Sequence, residues 1–178
     1  APGNAGTAQE GENVDIADTD TAKLVEFARR EQVDLVVVGP EDPLAMGLVD
    51  QLEKVGIKAF GPSGPAAQLE ADKAFAKKIM NANAIPTADS RTFERYEDAK
   101  RYIATRETGL VVKASGLAKG KGVFVCDDPA DALLAAEKIM NDRIFGEAGA
   151  QILVEEKLIG QEASILAFVD GKTIYVME

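Results

Sequence analysis

Residues Leu110 to Val125 read L-V-V-K-A-S-G-L-A-K-G-K-G-V-F-V: an apolar strand carrying Lys113, a Gly-rich loop with Lys119 and Lys121, and a second apolar strand from Gly122. Glycine leaves backbone N–H groups free to approach an anion closely, and lysine adds fixed positive charge; a polyphosphate needs both. The element after the glycines decides the type of site. A Walker A loop, G-x-x-x-x-G-K-[S/T], opens a helix and sets the helix N-terminus on the phosphates. Here Lys121 is followed by Gly122 and Val123, with no hydroxyl for Mg²⁺, and Val123, Phe124 and Val125 are strand formers. The dinucleotide fingerprint G-x-G-x-x-G also requires a helix after its glycines. The segment therefore reads as a flap between two strands, able to fold over a nucleotide. A flexible hairpin whose lysines keep a sheet edge soluble has the same composition.

A second group of candidates is Glu41, Asp42 and Pro43, in G-P-E-D-P after the apolar run Val33 to Val38. Open α/β sheets place ligands at the C-terminal ends of parallel strands, where this group sits. The same residues also serve as a helix start, with Asp42 as N-cap and Pro43 as the first helical residue.

The elements that must position these groups emerge from periodicity. Residues 13–17 suggest a short strand, and Asp20 caps a helix with Leu24, Phe27 and Ala28 on one face. Val33 to Val38 reads as a parallel strand buried on both faces, followed by a helix from Leu44 to about Val55 and a strand at Ile57 to Phe60. This predicts an α/β fold with a parallel sheet. Asp72 to about Asn83 is an amphipathic helix with Phe75 and Ile79 on one face and Lys77 and Lys78 off it, ended at Ile85-Pro86-Thr87. A second unit comes next: a helix over 96–106, the Lys113 hairpin, a helix from Asp128-Pro129 to about Asn141, and a strand at 151–155. Residues 163–170 and 172–177 form a hairpin about Asp170-Gly171.

Bulk properties set further bounds. The 178 residues, 46% apolar and 28% charged, suit an ordinary soluble protein of one or two domains. No apolar run approaches membrane-span length and no signal-peptide pattern is present, so no membrane partner is expected. A single cysteine excludes an internal disulfide and suits a cytoplasmic location; Cys126, at a strand end, reads as a buried inert thiol. A net charge of −10 without a basic stripe argues against nucleic acid as the main partner. It does not argue against ATP, because the relevant lysines are local and Mg²⁺ would carry part of the phosphate charge. The absence of histidine removes the usual general base and the commonest zinc ligand. The ends read as cut: Ala1 to Gly6 looks like the loop after a strand, and the chain stops in a strand pattern. An internal piece of a longer enzyme is the expectation.

Five segments then carry a resemblance, in order and over nearly the whole chain: A-P-G-N-A-G at 1–6, G-P-E-D-P-L-A at 39–45, F-G-P-S at 60–63, V-V-K-A-S-G-L-A-K-G-K-G-V at 111–123 and V-E-E-K-L-I-G-Q-E-A-S at 154–164. They resemble the ATP-grasp superfamily and, within it, the phosphoribosylamine–glycine ligases. The resemblance implies a Rossmann-like pre-ATP-grasp domain at 1–62, without its first strand and that strand's Gly-rich turn. A truncated ATP-grasp domain occupies 63–178, with a lid subdomain at about 87–155. It also implies that the acidic and Asn ligands for Mg²⁺ (or Mn²⁺), and the catalytic groups, lie beyond Glu178. No metal ligand or catalytic residue is therefore named within the chain, and the piece alone is expected to be inactive.

By the same resemblance, Lys113 reaches the ATP α-phosphate region and Lys73 is the second phosphate-reaching lysine; an edge lysine and a solvated helix lysine are the plain alternatives. Gly116, Gly120, Lys121 and Gly122 form a flap that orders with nucleotide. Glu155 accepts from the adenine amino group, backbone near Leu158 contacts the ring edge, and Glu162 binds the ribose diol, which suits a bidentate carboxylate. Lys157, also at the hinge, departs from the aromatic or apolar residue of the family pattern, and Lys119 replaces a small one. Pro2, Gly3, Asn4, Glu41, Asp42 and Pro43 help bind phosphoribosylamine. The implied reaction is ATP-dependent joining of glycine to 5-phosphoribosylamine through glycyl phosphate, in purine synthesis, by a monomer or weak dimer. Another ATP-grasp carboxylate–amine ligase and a nucleotide-binding module without chemistry are the rivals. A dinucleotide oxidoreductase lacks its G-x-G-x-x-G.

Overall fold

The computed structural model describes residues 1–118 and 120–177; Lys119, whose role the family pattern left open, and Glu178 lie outside the described residues. The chain opens with α1 (Thr7–Glu10), a single turn begun by Asn4, whose Oδ1 accepts the N–H groups of Gly6 and Thr7 at 2.8 and 3.1 Å. The strand expected at 13–17 does not form. Asn13 is drawn to that turn, donating to the Asn4 carbonyl at 2.8 Å and accepting the Thr7 hydroxyl at 2.7 Å.

The first α/β unit contains α2 (Thr21–Arg30), β1 (Leu35–Val37), α3 (Glu41–Ala45), α4 (Leu48–Lys54) and β2 (Lys58–Phe60). Asp20 caps α2 as expected, accepting the Lys23 N–H at 3.2 Å. Strands β1 and β2 pair in parallel, with Leu35 opposite Lys58 and Val37 opposite Phe60. Ala28, Val38, Leu48, Val49 and Leu52 form the core of this unit.

Three expectations for this unit are corrected. The apolar strand is not buried on both faces: Val36 packs on the core while Leu35 and Val37 are 53% and 65% exposed. The helices α2 and α4 bury only one face of the sheet. The single helix expected from Leu44 is two, divided at Gly47, whose left-handed φ of +75° breaks the turn. Helix α3 also starts earlier, at Glu41 with Pro40 as N-cap, so Asp42 and Pro43 are its second and third residues. Proline is tolerated there because first-turn N–H groups have no partner within the helix.

Helix α5 (Gly64–Ala71) has no counterpart among the expected elements; Ser63 caps it and Asp50 accepts the Gly64 N–H at 2.6 Å. Helix α6 (Lys73–Ala82) comes directly after, capped by Asp72. The second unit is then β3 (Ser90–Phe93), α7 (Tyr96–Ile103), β4 (Leu110–Ala114), β5 (Val123–Cys126), α8 (Pro129–Met140) and β6 (Ile152–Glu156). Its four strands form an antiparallel sheet in the order β3-β6-β4-β5.

Strand alternation divides this sheet cleanly. Leu110, Val112, Ala114, Cys126, Ile152 and Val154 face α7 and α8, joining Ile103, Ala132, Ala136 and Ile139 in the core. Lys113, Leu153 and Glu155 face the other way. Cys126 is buried as expected, and burial, then Asp131, Asp127 and Asp128, push its thiol above the usual range. The chain ends in the expected hairpin, β7 (Ala167–Val169) with β8 (Ile174–Val176), turned by Asp170, which accepts the Thr173 N–H at 2.7 Å. No helix is long and apolar enough to cross a membrane among the described residues.

Candidate functional site

On the face of the antiparallel sheet away from its core, register places Val111 opposite Glu155 and Lys113 opposite Leu153. Lys113 and Glu155 are thus diagonal neighbours on adjacent strands, within reach for long side chains. Lys113 Nζ lies 2.6 Å from Glu155 Oε2. Helix α6 approaches this face and adds two lysines one turn apart, Lys73 and Lys77. Lys73 Nζ donates to the Gly116 carbonyl at 3.3 Å, and Lys77 Nζ lies 3.1 Å from Glu155 Oε1. Together with Thr87, Leu153 and Leu158 these residues line a cleft of about 430 Å³.

Three ammonium groups face one carboxylate, so the cleft carries a net charge of +2 in a chain whose net charge is −10. A local excess of positive charge in a concave, partly desolvated site attracts a polyanion. Among the described residues that carboxylate is the only one lining the cleft, and both of its oxygens are turned to lysines. Nor do any three His, Cys, Asp or Glu side chains gather as a metal cage among the described residues. The described cleft lining thus offers no unpaired carboxylate to a divalent cation, which at a nucleotide site takes one or two carboxylates beside water and phosphate oxygens.

The Gly-rich loop is rooted in the same place. Ser115 is buried; its hydroxyl donates to Asp72 Oδ1 at 2.8 Å and accepts the Ala74 N–H at 3.1 Å. Its carbonyl accepts the Lys73 N–H at 2.9 Å, so the loop root and the helix bearing Lys73 are one hydrogen-bonded body. At the far side of the loop, Gly122 returns to β4 by accepting the Ala114 N–H at 2.8 Å. A Cβ on Gly122 would come within 2.6 Å of the Ala118 Cβ, closer than carbon atoms approach, so the loop closes this tightly only around glycine. Lys121 and Gly120 are exposed at its tip.

Of the residues singled out in the sequence, the structure brings Lys73, Lys113, Glu155 and Leu158 together around the cleft, with Gly116 accepting from Lys73. It does not bring Lys157 or Glu162 there. Lys157 pairs with the Asp127 carboxylate at the end of β5, holding that carboxyl below the usual range, and Glu162 is exposed in the irregular segment 157–166. Pro2, Gly3 and Asn4 are exposed, and the Asn4 side chain is engaged in its own turn. Pro43, with Ala1 and Pro40, lines a separate and largely apolar cavity of about 280 Å³ beside β1; Glu41 is exposed and Asp42 half-buried at its margin.

Sequence reasoning misses Lys77. Helical periodicity sets it on the polar side of α6, yet it is 8% exposed, while Phe75 and Ile79 are 36% and 37% exposed. The one available signal is the four-residue spacing from Lys73, which puts the two lysines on one face.

Residues 1–70 match the family model described as phosphoribosylglycinamide synthetase, N domain, and residues 71–178 match its ATP-grasp (A) domain. The chain is 48% identical to a phosphoribosylamine–glycine ligase of Rhodopirellula baltica, over 99% of this chain and 42% of the relative. It is 50% identical to one of Allochromatium vinosum, over 98% of this chain and 41% of the relative. The crystal structure of the phosphoribosylamine–glycine ligase of Thermotoga maritima superposes with a TM-score of 0.79 at 26% identity, over 98% of this chain and 41% of that one. The chain therefore spans about two fifths of the length of the relatives it matches.

Proposed function

The chain belongs to the phosphoribosylglycinamide synthetase family, and on that premise we propose that it supplies the nucleotide grip of an ATP-dependent ligase joining glycine to 5-phosphoribosylamine. The observation that carries this reading is the convergence of Lys73 and Lys113 on one cleft beside a Gly-rich loop rooted at Ser115. In the proposed reaction the glycine carboxylate attacks the γ-phosphorus of ATP, giving glycyl phosphate and ADP. The amine of 5-phosphoribosylamine then displaces phosphate, giving glycinamide ribonucleotide. A carboxylate is a poor electrophile, and phosphorylation supplies its leaving group. Fixed positive charge and loop N–H groups stabilise the charge on the transferring phosphoryl group.

Each residue has its own share of this work. Lys113 reaches the α-phosphate region and Lys73 the phosphate chain beyond it. The loop amides of Gly116, Gly120 and Gly122, with Lys121, close over the phosphates. Val123 and Val125, exposed on the same side of the sheet as Lys113, offer an apolar surface for a ring. Backbone near Leu158 contacts the ring edge, and Glu155 combines orientation of the lysines with acceptance from the adenine amino group. Glu162 and Lys157 join only if segment 157–166 moves onto the cleft, with Glu162 taking the ribose diol. Pro2, Gly3, Asn4, Glu41, Asp42 and Pro43 form the phosphoribosylamine side, in a first domain ending near Pro62 before the ATP-grasp domain and its lid. A cytoplasmic monomer or weak dimer using Mg²⁺ or Mn²⁺ completes the reading, and none of the steps assigned to these residues passes through the cation.

The test is ADP release by the complete protein that contains this chain. Release is expected to depend on both glycine and 5-phosphoribosylamine and to fall away with other carboxylates; ADP formation indifferent to glycine overturns the assignment in favour of another ATP-grasp ligase. In the same protein Lys113→Ala removes a charge-assisted contact and is expected to weaken ATP binding about tenfold or more, read by calorimetry. The melting temperature should hold, because Lys113 is outside the sheet core and Lys77 remains as a counter-charge to the buried Glu155.

A further inference from the structure

The geometry points to Lys77 as a positioning residue that shares the Glu155 charge and so leaves Lys113 electrically available to the nucleotide phosphates. This role rests on the proposed nucleotide site.

Lys77 itself is buried and committed to neighbouring protein groups. Its side chain is 9% exposed, and its ammonium donates to Thr87 Oγ1 at 2.6 Å and to the Ala88 carbonyl at 2.9 Å, with Glu155 Oε1 at 3.1 Å. Two of the ammonium's three donors are taken by Thr87 and Ala88, and Glu155 Oε1 lies beside it as a counter-charge. Lys113, at 26% exposure, is the most open of the three towards the cleft, and Glu155, at 4%, sits between the two lysines.

Charge balance explains why a second lysine is useful there. A buried carboxylate requires compensation, and a one-to-one pair with Lys113 would provide it by neutralising Lys113. With Lys77 on the opposite oxygen, two ammonium groups share one negative charge, and the buried group keeps a net +1 directed at the cleft. Glu155 Oε1 makes no hydrogen bond of normal geometry despite its proximity to Lys77, so the coupling there is one of charge more than of a directed bond. Lys73, with no ion-pair partner among the described residues, adds to the same excess. The anchoring of Lys77 to residues 87–88 also orients the face of α6 from which Lys73 projects.

The alternative is that Lys77 is a mechanical staple, and a double-mutant cycle separates the two. ATP affinity is measured by calorimetry in the complete protein for wild type, Lys77→Met, Glu155→Gln and the double variant, with Lys77→Arg as the charge-conserving form. Lys77→Met is expected to weaken ATP binding about tenfold when Glu155 is present and less than about threefold on the Glu155→Gln background. Lys77→Arg is expected to stay within about threefold of wild type. An equal loss on both backgrounds, or no loss from Lys77→Met, overturns the proposal. Should Lys77→Met fail to fold, Lys77→Gln, which keeps a donor for Thr87 or Ala88, takes its place in the same cycle. Lys113→Ala keeps the two levels apart: if it leaves ATP affinity unchanged, the nucleotide reading fails, whereas a loss there with no Lys77–Glu155 coupling defeats only the charge-sharing role.

Discussion

Asp72 ties the start of α6 to the loop root after β4 through one carboxylate. Its Oδ1 accepts the N–H groups of Ala74 and Phe75 at 3.0 and 3.1 Å and the Ser115 hydroxyl at 2.8 Å. Burial alone would raise its carboxyl, but these three hydrogen bonds and the Lys78 charge outweigh it and hold the group below the usual Asp range. A depressed folded value means stability that is present at neutral pH and lost as the pH falls below about 4, through the folded value. Asp72→Ala is therefore expected to cost about 1 kcal/mol at pH 7, as loss of an N-cap does. The gap from wild type should narrow in urea titrations run towards pH 3. A gap that stays constant with pH would assign the effect to packing instead. The sequence marked Asp72 as the start of an amphipathic helix, and the structure makes it the N-cap one residue before that helix. Its bond to Ser115, 43 residues away, was not legible there, since only the approach of β4 to α6 creates it.

At the scale of elements, the β4–β5 hairpin and its loop were readable because glycine and β-branched residues act on their own backbone. The close return at Gly122 makes the loop sensitive to a single methyl. Gly122→Ala would meet the Cβ atoms of Ala118 and Ala114 at 2.6 and 3.2 Å, and neither can rotate away. It is expected to cost about 1–2 kcal/mol in thermal unfolding and to weaken ATP binding by opening the loop. Gly11→Ala, with open space at its Cβ and outside the cleft lining, is the matched control and should change neither. Helix α6 shows where periodicity stops informing. Its inward side carries Ala74 and Lys77, while Phe75 and Ile79 are half-exposed. Hydrophobicity ranks a lysine as outward unless the facing surface offers a carboxylate, and Glu155 lies 78 residues further along the chain.

For the molecule as a whole, two separate cores, one around Leu52 and one around Ile139 and Val154, make the α/β unit and the antiparallel unit distinct packing bodies. Leu52→Ala should remove about 2–5 kcal/mol from the first. Hydrogen exchange should then accelerate in β1, β2 and α4 while β4 and β6 keep their protection; equal loss in both would show a single cooperative unit. What the sequence determined by itself is whatever acts through neighbouring residues: the caps at Asp20 and Asp128, the strand-to-strand setting of the Gly-rich loop, and the motif order that identifies the family. Tertiary structure alone decided which charges meet. It buried Lys77, placed Glu155 between two ammonium groups, turned Lys157 away to Asp127 and left one face of the β1–β2 sheet uncovered. The physical reason is range. Backbone propensity and capping are settled within a few residues, whereas the compensation of a buried charge depends on which side chain another strand or helix brings to within about 4 Å.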